Sequence, residues 1–165
     1  MNIGLIIILV VVVAVILGPI RMMQPTAAQK TREKMRLMAR ARGAHYSMRN
    51  IPQQADEQEK PAAMPVYFLP PAETQTEKGW MLVRANYQHE INLLGWWAWQ
   101  GAARASDAEL KVLHTYLPAL PESVRALSAG SEGIYVFWNE RGGEPVLEQV
   151  LQLLESLKQA AEKKT

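Results

Sequence analysis

The 165-residue chain has no cysteine, three histidines, two phenylalanines and a net charge of only +2. Without cysteine there is no disulfide scaffold, no thiolate metal site and no cysteine nucleophile. The histidines do not repair the loss. His45, His89 and His114 share no ligand spacing, and His89-Glu90, which begins like the zinc motif H-E-x-x-H, meets Leu93 where the second histidine belongs. The sequence also lacks G-x-S-x-G, G-x-x-x-x-G-K-[ST] and G-x-G-x-x-G. Gly130-Ser131-Glu132-Gly133 has the form of a KH-domain GXXG, but a tight turn into a strand explains it, and Glu132 opposes phosphate. Asp107 and Glu109 are accounted for by a helix cap. No catalytic residue, metal or cofactor is therefore expected, and the chain is read as a non-enzyme.

The near-neutral total hides an asymmetry. Residues 21–50 hold eight basic side chains and one acid, and residues 51–165 hold ten basic and fifteen acidic, so +7 stands beside −5. Before the basic segment lies Ile3 to Ile20, eighteen residues without a charge, fourteen of them Ile, Leu or Val. As a helix this run is about 27 Å long, close to a hydrocarbon core of about 30 Å. The start Met1-Asn2 and the sequence Gly18-Pro19-Ile20-Arg21 do not fit a cleaved signal peptide. The expectation is an uncleaved transmembrane helix over residues 1–22. All nearby basic residues follow it, so the positive-inside rule puts the N-terminus outside and the C-terminal domain in the cytoplasm of a bacterial inner membrane.

Pro25 closes that segment, and Thr26-Ala27-Ala28-Gln29 is a capping box, which predicts a helix from about Ala27 to Arg42 that stops at Gly43. Ala28, Thr31, Met35 and Met38 form one side, with Arg32, Arg36 and Arg40 nearly opposite. Arg21, Lys30, Arg32, Arg36 and Arg40 are candidate contacts for anionic lipid headgroups, or the charges only enforce topology. No Phe or Tyr interleaves them, so nucleic acid is not an expected partner. A short strand at His45 to Arg49 completes residues 23–50, and the polar 51–64 reads as a linker.

The layout of one apolar segment followed by QPTAAQKTREKMRLMARARG resembles that of the YajC family, small accessory proteins of the bacterial preprotein translocase. The resemblance covers about the first 45 residues, and ARARGAHYSMRNIPQ also looks like small single-span proteobacterial proteins with no assigned activity. It implies a single span and an accessory role beside a membrane protein partner.

Residues 65–165 suffice for one small core. Strands are predicted at Pro65 to Pro70, bracketed by prolines and so at a sheet edge, at Trp80 to Ala85, at Ile91 to Trp99, and at Gly133 to Asn139, apolar on both faces and so central. Ser106-Asp107-Ala108-Glu109 caps a helix carrying Leu110, Leu113 and Leu117; Pro121 opens a short helical turn through Leu127; Pro145 starts a last helix with the stripe Leu147, Val150, Leu151, Leu154, Leu157 and Ala161. The expected fold is α+β, a small, mostly antiparallel sheet with two helices packed on one face.

Trp96, Trp97 and Trp99 form the one unusual local cluster. In an extended chain Trp97 and Trp99 share a face and Trp96 looks away, so they are either a platform for a partner or flat ligand, or core. The expected function is a non-catalytic accessory or interaction module for a membrane-associated assembly. The alternative is a membrane-tethered sensor of a small ligand or peptide, or a cryptic enzyme, using a tryptophan cleft with His89, Glu90 or Arg84 nearby.

Overall fold

In a computed structural model of the chain, the described residues are 2–22, 25–53, 61–71, 79–86, 88, 90 and 92–162, with the side chains of 18–22 left aside. The chain divides into two compact units, Met1–Glu33 and Lys34–Thr165.

The first unit contains helix α1, Ile3–Met22. Among the described residues no helix is long and apolar enough to cross a membrane, which corrects the expected transmembrane helix. The part of α1 whose side chains are described, Ile3 to Leu17, has fifteen residues. Helix α2, Ala27–Ala41, begins in this unit. Its capping box forms in both directions: Thr26 N–H donates to Gln29 Oε1 at 2.7 Å, and Gln29 N–H donates to Thr26 Oγ1 at 3.2 Å.

The second unit is α+β. Its six strands are β1 His45–Arg49, β2 Met64–Leu69, β3 Trp80–Arg84, β4 Trp97–Trp99, β5 Val124–Gly130 and β6 Gly133–Trp138. They form one sheet in the order β1-β2-β6-β5-β3-β4, with every pairing antiparallel. Helices α3, Asp107–Tyr116, and α4, Gly143–Glu162, pack on one face. The C-terminal half of α2 joins them through Met35 and Ala39, so this face carries three helices where two were expected.

Strand β6 shows how the sheet sorts its side chains. Ile134, Val136 and Trp138 point into the core under the helices, and Tyr135 and Phe137 join Val66, Val83 and Ala126 in a second cluster on the opposite face. Both faces are buried, and the strand is central, as its unbroken apolar run requires.

Three further expectations change. The strand expected over Ile91 to Trp99 is confined to β4, Trp97–Trp99, because the chain before it turns at Gly95 and Trp96. The stretch read as a helical turn to Leu127 is strand β5. Strand β2 is not at an edge, because β1 covers its other side. Pro65 is tolerated there because it lies opposite Met48 of β1, one residue before the β2–β6 ladder starts at Val66.

Candidate functional site

Strand β3 ends at Arg84, which stands opposite Trp97 of β4. The connection closes in a tight turn: Trp97 N–H donates to the Leu94 carbonyl at 2.9 Å, and Ala85 N–H to the Trp96 carbonyl at 2.7 Å. Gly95 takes a positive φ of 53°, and the Asn92 side-chain amide donates to its carbonyl at 2.8 Å. The turn divides the adjacent tryptophans. Trp97 is buried, whereas Trp96 at the corner is 42% exposed.

Across from this turn, the chain leaves α3 through a 3-10 turn, Leu117–Ala119. Between the two turns lies a cleft of about 320 Å³ lined by Arg84, Leu94, Gly95, Trp96, Trp97, Leu117, Pro118 and Leu120. Arg84 supplies its charge. Its Nη2 donates to the carbonyls of Leu120 at 2.9 Å and Pro121 at 3.4 Å, and its guanidinium carbon lies 5.0 Å from the Trp97 ring centroid. Burial pulls the Arg84 pKa below the usual guanidinium value; Glu122 acts in the opposite direction, and Arg125 adds to the lowering.

Trp99 takes no part in the cleft lining. Its ring meets Trp80 edge-on with centroids 5.9 Å apart, and Arg104 lies 5.3 Å from its centroid. Trp80 Nε1–H in turn donates to Glu109 Oε1 at 3.1 Å. Glu109 also completes the α3 capping box with Ser106, so one buried carboxylate holds the helix start and the tryptophan pair together. The three tryptophans are therefore divided: Trp96 and Trp97 line the cleft, Trp97 being buried in the core as well, and Trp99 is half-buried against that core.

The basic residues of α2 are also divided. Arg36 grips Glu140 with two parallel bonds, Nε to Oε1 at 2.7 Å and Nη2 to Oε2 at 2.8 Å, while Tyr67 O–H donates to Oε1 at 2.9 Å. Its guanidinium also stacks 3.9 Å from the Tyr46 ring centroid. The hydrogen bond to Glu140 raises the Arg36 pKa, against a smaller opposing effect of burial. Lys34 pairs with Glu144 at 2.6 Å, and Arg42 with Glu148 at 2.5 Å and Glu155 at 3.4 Å. Lys30, Arg32 and Arg40 are exposed. Arg21 has its side chain outside the described residues, as His89 lies outside them altogether.

Leu117, Pro118 and Leu120 were not anticipated as cleft residues. Nothing local marks them, since they meet Arg84 and Trp97 only after β3, β4 and α3 have docked. Among the described residues no group of three or more His, Asp or Glu is placed to hold a metal. Compared with protein-family models, curated proteins and solved structures, the chain matches none of them.

Proposed function

We propose that the chain is a non-catalytic accessory protein of a membrane-associated assembly, attached by α1 and offering its α+β unit as an interaction module. The observation that carries this reading is the exposure of α1. Thirteen large aliphatic side chains between Ile3 and Leu17 are 40 to 75% exposed. Each forgoes a burial gain of order 1 kcal/mol, so α1 leaves roughly 10 kcal/mol or more unclaimed until an apolar environment takes it up. The exposed large aliphatic positions run consecutively from Leu5 to Val13 and so go round the whole helix. The resemblance of the first 45 residues to the YajC family supports the same accessory role.

The test is fractionation of cells expressing the full chain, followed by purification in mild detergent. The chain is expected in the membrane fraction after a high-salt wash and with a stoichiometric protein partner after extraction. Leu9→Glu with Val12→Glu should release it into the aqueous fraction. Recovery of the unaltered chain as a lone monomer in the aqueous fraction overturns the reading.

A further inference from the structure

We propose that the outward face of α2 between Lys34 and Ala41 rests on an anionic lipid surface, with Leu37 at the acyl boundary and Arg40 on the headgroup phosphates. The inference rests on the reading that α1 attaches the chain to a membrane-associated assembly, and it names the surface that α2 then meets.

The first observation is which side of α2 the fold uses. Met35 is 1% exposed and Ala39 0%, and both belong to the core under the helices. The stripe that the sequence offers to lipid, Ala28, Thr31, Met35 and Met38, is therefore not the lipid side, because Met35 is enclosed by protein. Leu37 stands two positions from both Met35 and Ala39, which at about 100° per residue places it about 160° round the helix from each. It is 62% exposed, more than any other large apolar side chain among the described residues of the second unit. Lys34, Arg40 and Ala41 flank it at i−3, i+3 and i+4, and all three are exposed.

The second observation is charge. Residues 34–42 hold four basic side chains and no acid. Three of the four are taken up within the unit: Lys34 by Glu144, Arg36 by Glu140, and Arg42 by Glu148 and Glu155. Arg40 has no acidic partner among the described residues. An exposed guanidinium beside an exposed leucine matches a layer that presents phosphates above hydrocarbon, since the long Arg stem lets the charge stay at the headgroups while the apolar side chain goes deeper. A protein surface is a poorer match, because one leucine between cations falls far short of the roughly 1,000 Å² that a specific interface buries.

The third observation is the tether. Five residue steps separate Met22 at the end of α1 from Ala27 at the start of α2, and a chain of that length spans at most about 18 Å. Wherever α1 is held, α2 begins within that distance. Contact of Leu37 and Arg40 with the surface is then an intramolecular event, so two weak contacts suffice to populate it.

The test exploits the absence of cysteine: Leu37→Cys carries a single fluorophore on the full chain, and Thr115→Cys, at an exposed position of α3, is the reference. Each labelled chain is reconstituted with vesicles of phosphatidylcholine alone or mixed with phosphatidylglycerol, all containing a nitroxide-labelled lipid. On mixed vesicles the fluorophore at 37 should be quenched more strongly than the one at 115. That difference should vanish on pure phosphatidylcholine and in 1 M salt, where the Debye length is about 3 Å. Arg40→Glu exchanges an attractive charge for a repulsive one at an exposed position, so the melting temperature should hold while the ratio of quenched to unquenched chains falls about tenfold or more. Arg40→Gln, which only removes the charge, should fall between the two. Quenching at 37 no stronger than at 115 on mixed vesicles, or equally strong on mixed and pure phosphatidylcholine vesicles, overturns the proposal, as does undiminished quenching in both Arg40 variants. Flotation with pure phosphatidylcholine vesicles reads attachment by α1 on its own. A chain that floats with them but shows no quenching at 37 on mixed vesicles sinks this contact and spares the attachment; a chain that is quenched at 37 on mixed vesicles and floats with no others does the reverse.

Discussion

Glu140 has a positive φ of 60°, a backbone state that costs a residue with a β-carbon about 1 kcal/mol or more. It is held there by what its carboxylate receives, two bonds from Arg36 and one from Tyr67, with the residue only 8% exposed. Removing that carboxylate strands the guanidinium. Arg36 remains 36% exposed at its side chain, so water softens the loss. Glu140→Ala is therefore expected to destabilise by about 2–3 kcal/mol, at or below the low end of the range for breaking a fully buried pair. Glu140→Gly loses the same contacts but relaxes the backbone, and its urea midpoint should lie above that of Glu140→Ala by the equivalent of about 1 kcal/mol. If the two variants unfold at the same midpoint, the backbone at Glu140 carries no strain. The exposed pairs Lys34–Glu144 and Arg42–Glu148 belong to another class, and 1 M salt should weaken them while leaving the Arg36 clasp largely intact.

Among the elements, the β5–β6 hairpin depends most sharply on one residue. Gly133 has φ 131°, and a Cβ there would sit 2.3 Å from the Leu69 carbonyl oxygen of β2. Gly133→Ala must therefore push two central strands apart, and a loss of about 2 kcal/mol or more is expected by denaturant titration. A loss below about 0.5 kcal/mol would show that the β2–β6 edge yields freely. Helices α3 and α4 were legible in the sequence because a capping box and an uninterrupted apolar stripe agree with each other. Strand β5 was not. Val124 and Leu127 stand three apart, a helical spacing, because a bulge between Val124 and Ala126 shifts the alternation and puts Val124 on the same face as Leu127 and Ala129. In α2 the basic residues were plain, but their partners on Glu140, Glu144 and Glu148 lie more than a hundred residues away in sequence. The cleft was half legible for the same reason: Trp96 and Trp97 stand out as neighbours, while Leu117 and Leu120 reach them only through the assembled fold.

For the whole molecule, the segregation of charge into a basic segment and an acidic remainder acts in part within the second unit, where Lys34, Arg36 and Arg42 of the basic segment meet acids at or in α4. The pairing bears on the pH range over which the fold persists. On the acid side, the hydrogen bond from Arg42 lowers the Glu148 pKa, so the stability this pair contributes is present above the ordinary carboxylate range and is lost as pH falls through the lowered value. On the alkaline side, burial first and then Glu140 raise the Tyr67 pKa, and burial is also the largest cause of the rise at Tyr135. A phenol whose folded pKa is raised keeps its proton while the unfolded chain has lost it. Its contribution is complete below the ordinary value of about 10 and disappears as pH climbs from there toward the folded value. Folding stability measured by urea titration should therefore be level near neutrality and fall above about pH 10, by up to about 1.4 kcal/mol per pH unit for each such tyrosine. Tyr67→Phe gives up a hydrogen bond to Glu140 and should be less stable at pH 7, but it removes one titrating phenol, so its decline above pH 10 should be the shallower of the two. Parallel declines for the two chains would mean that the proton on Tyr67 is not linked to folding.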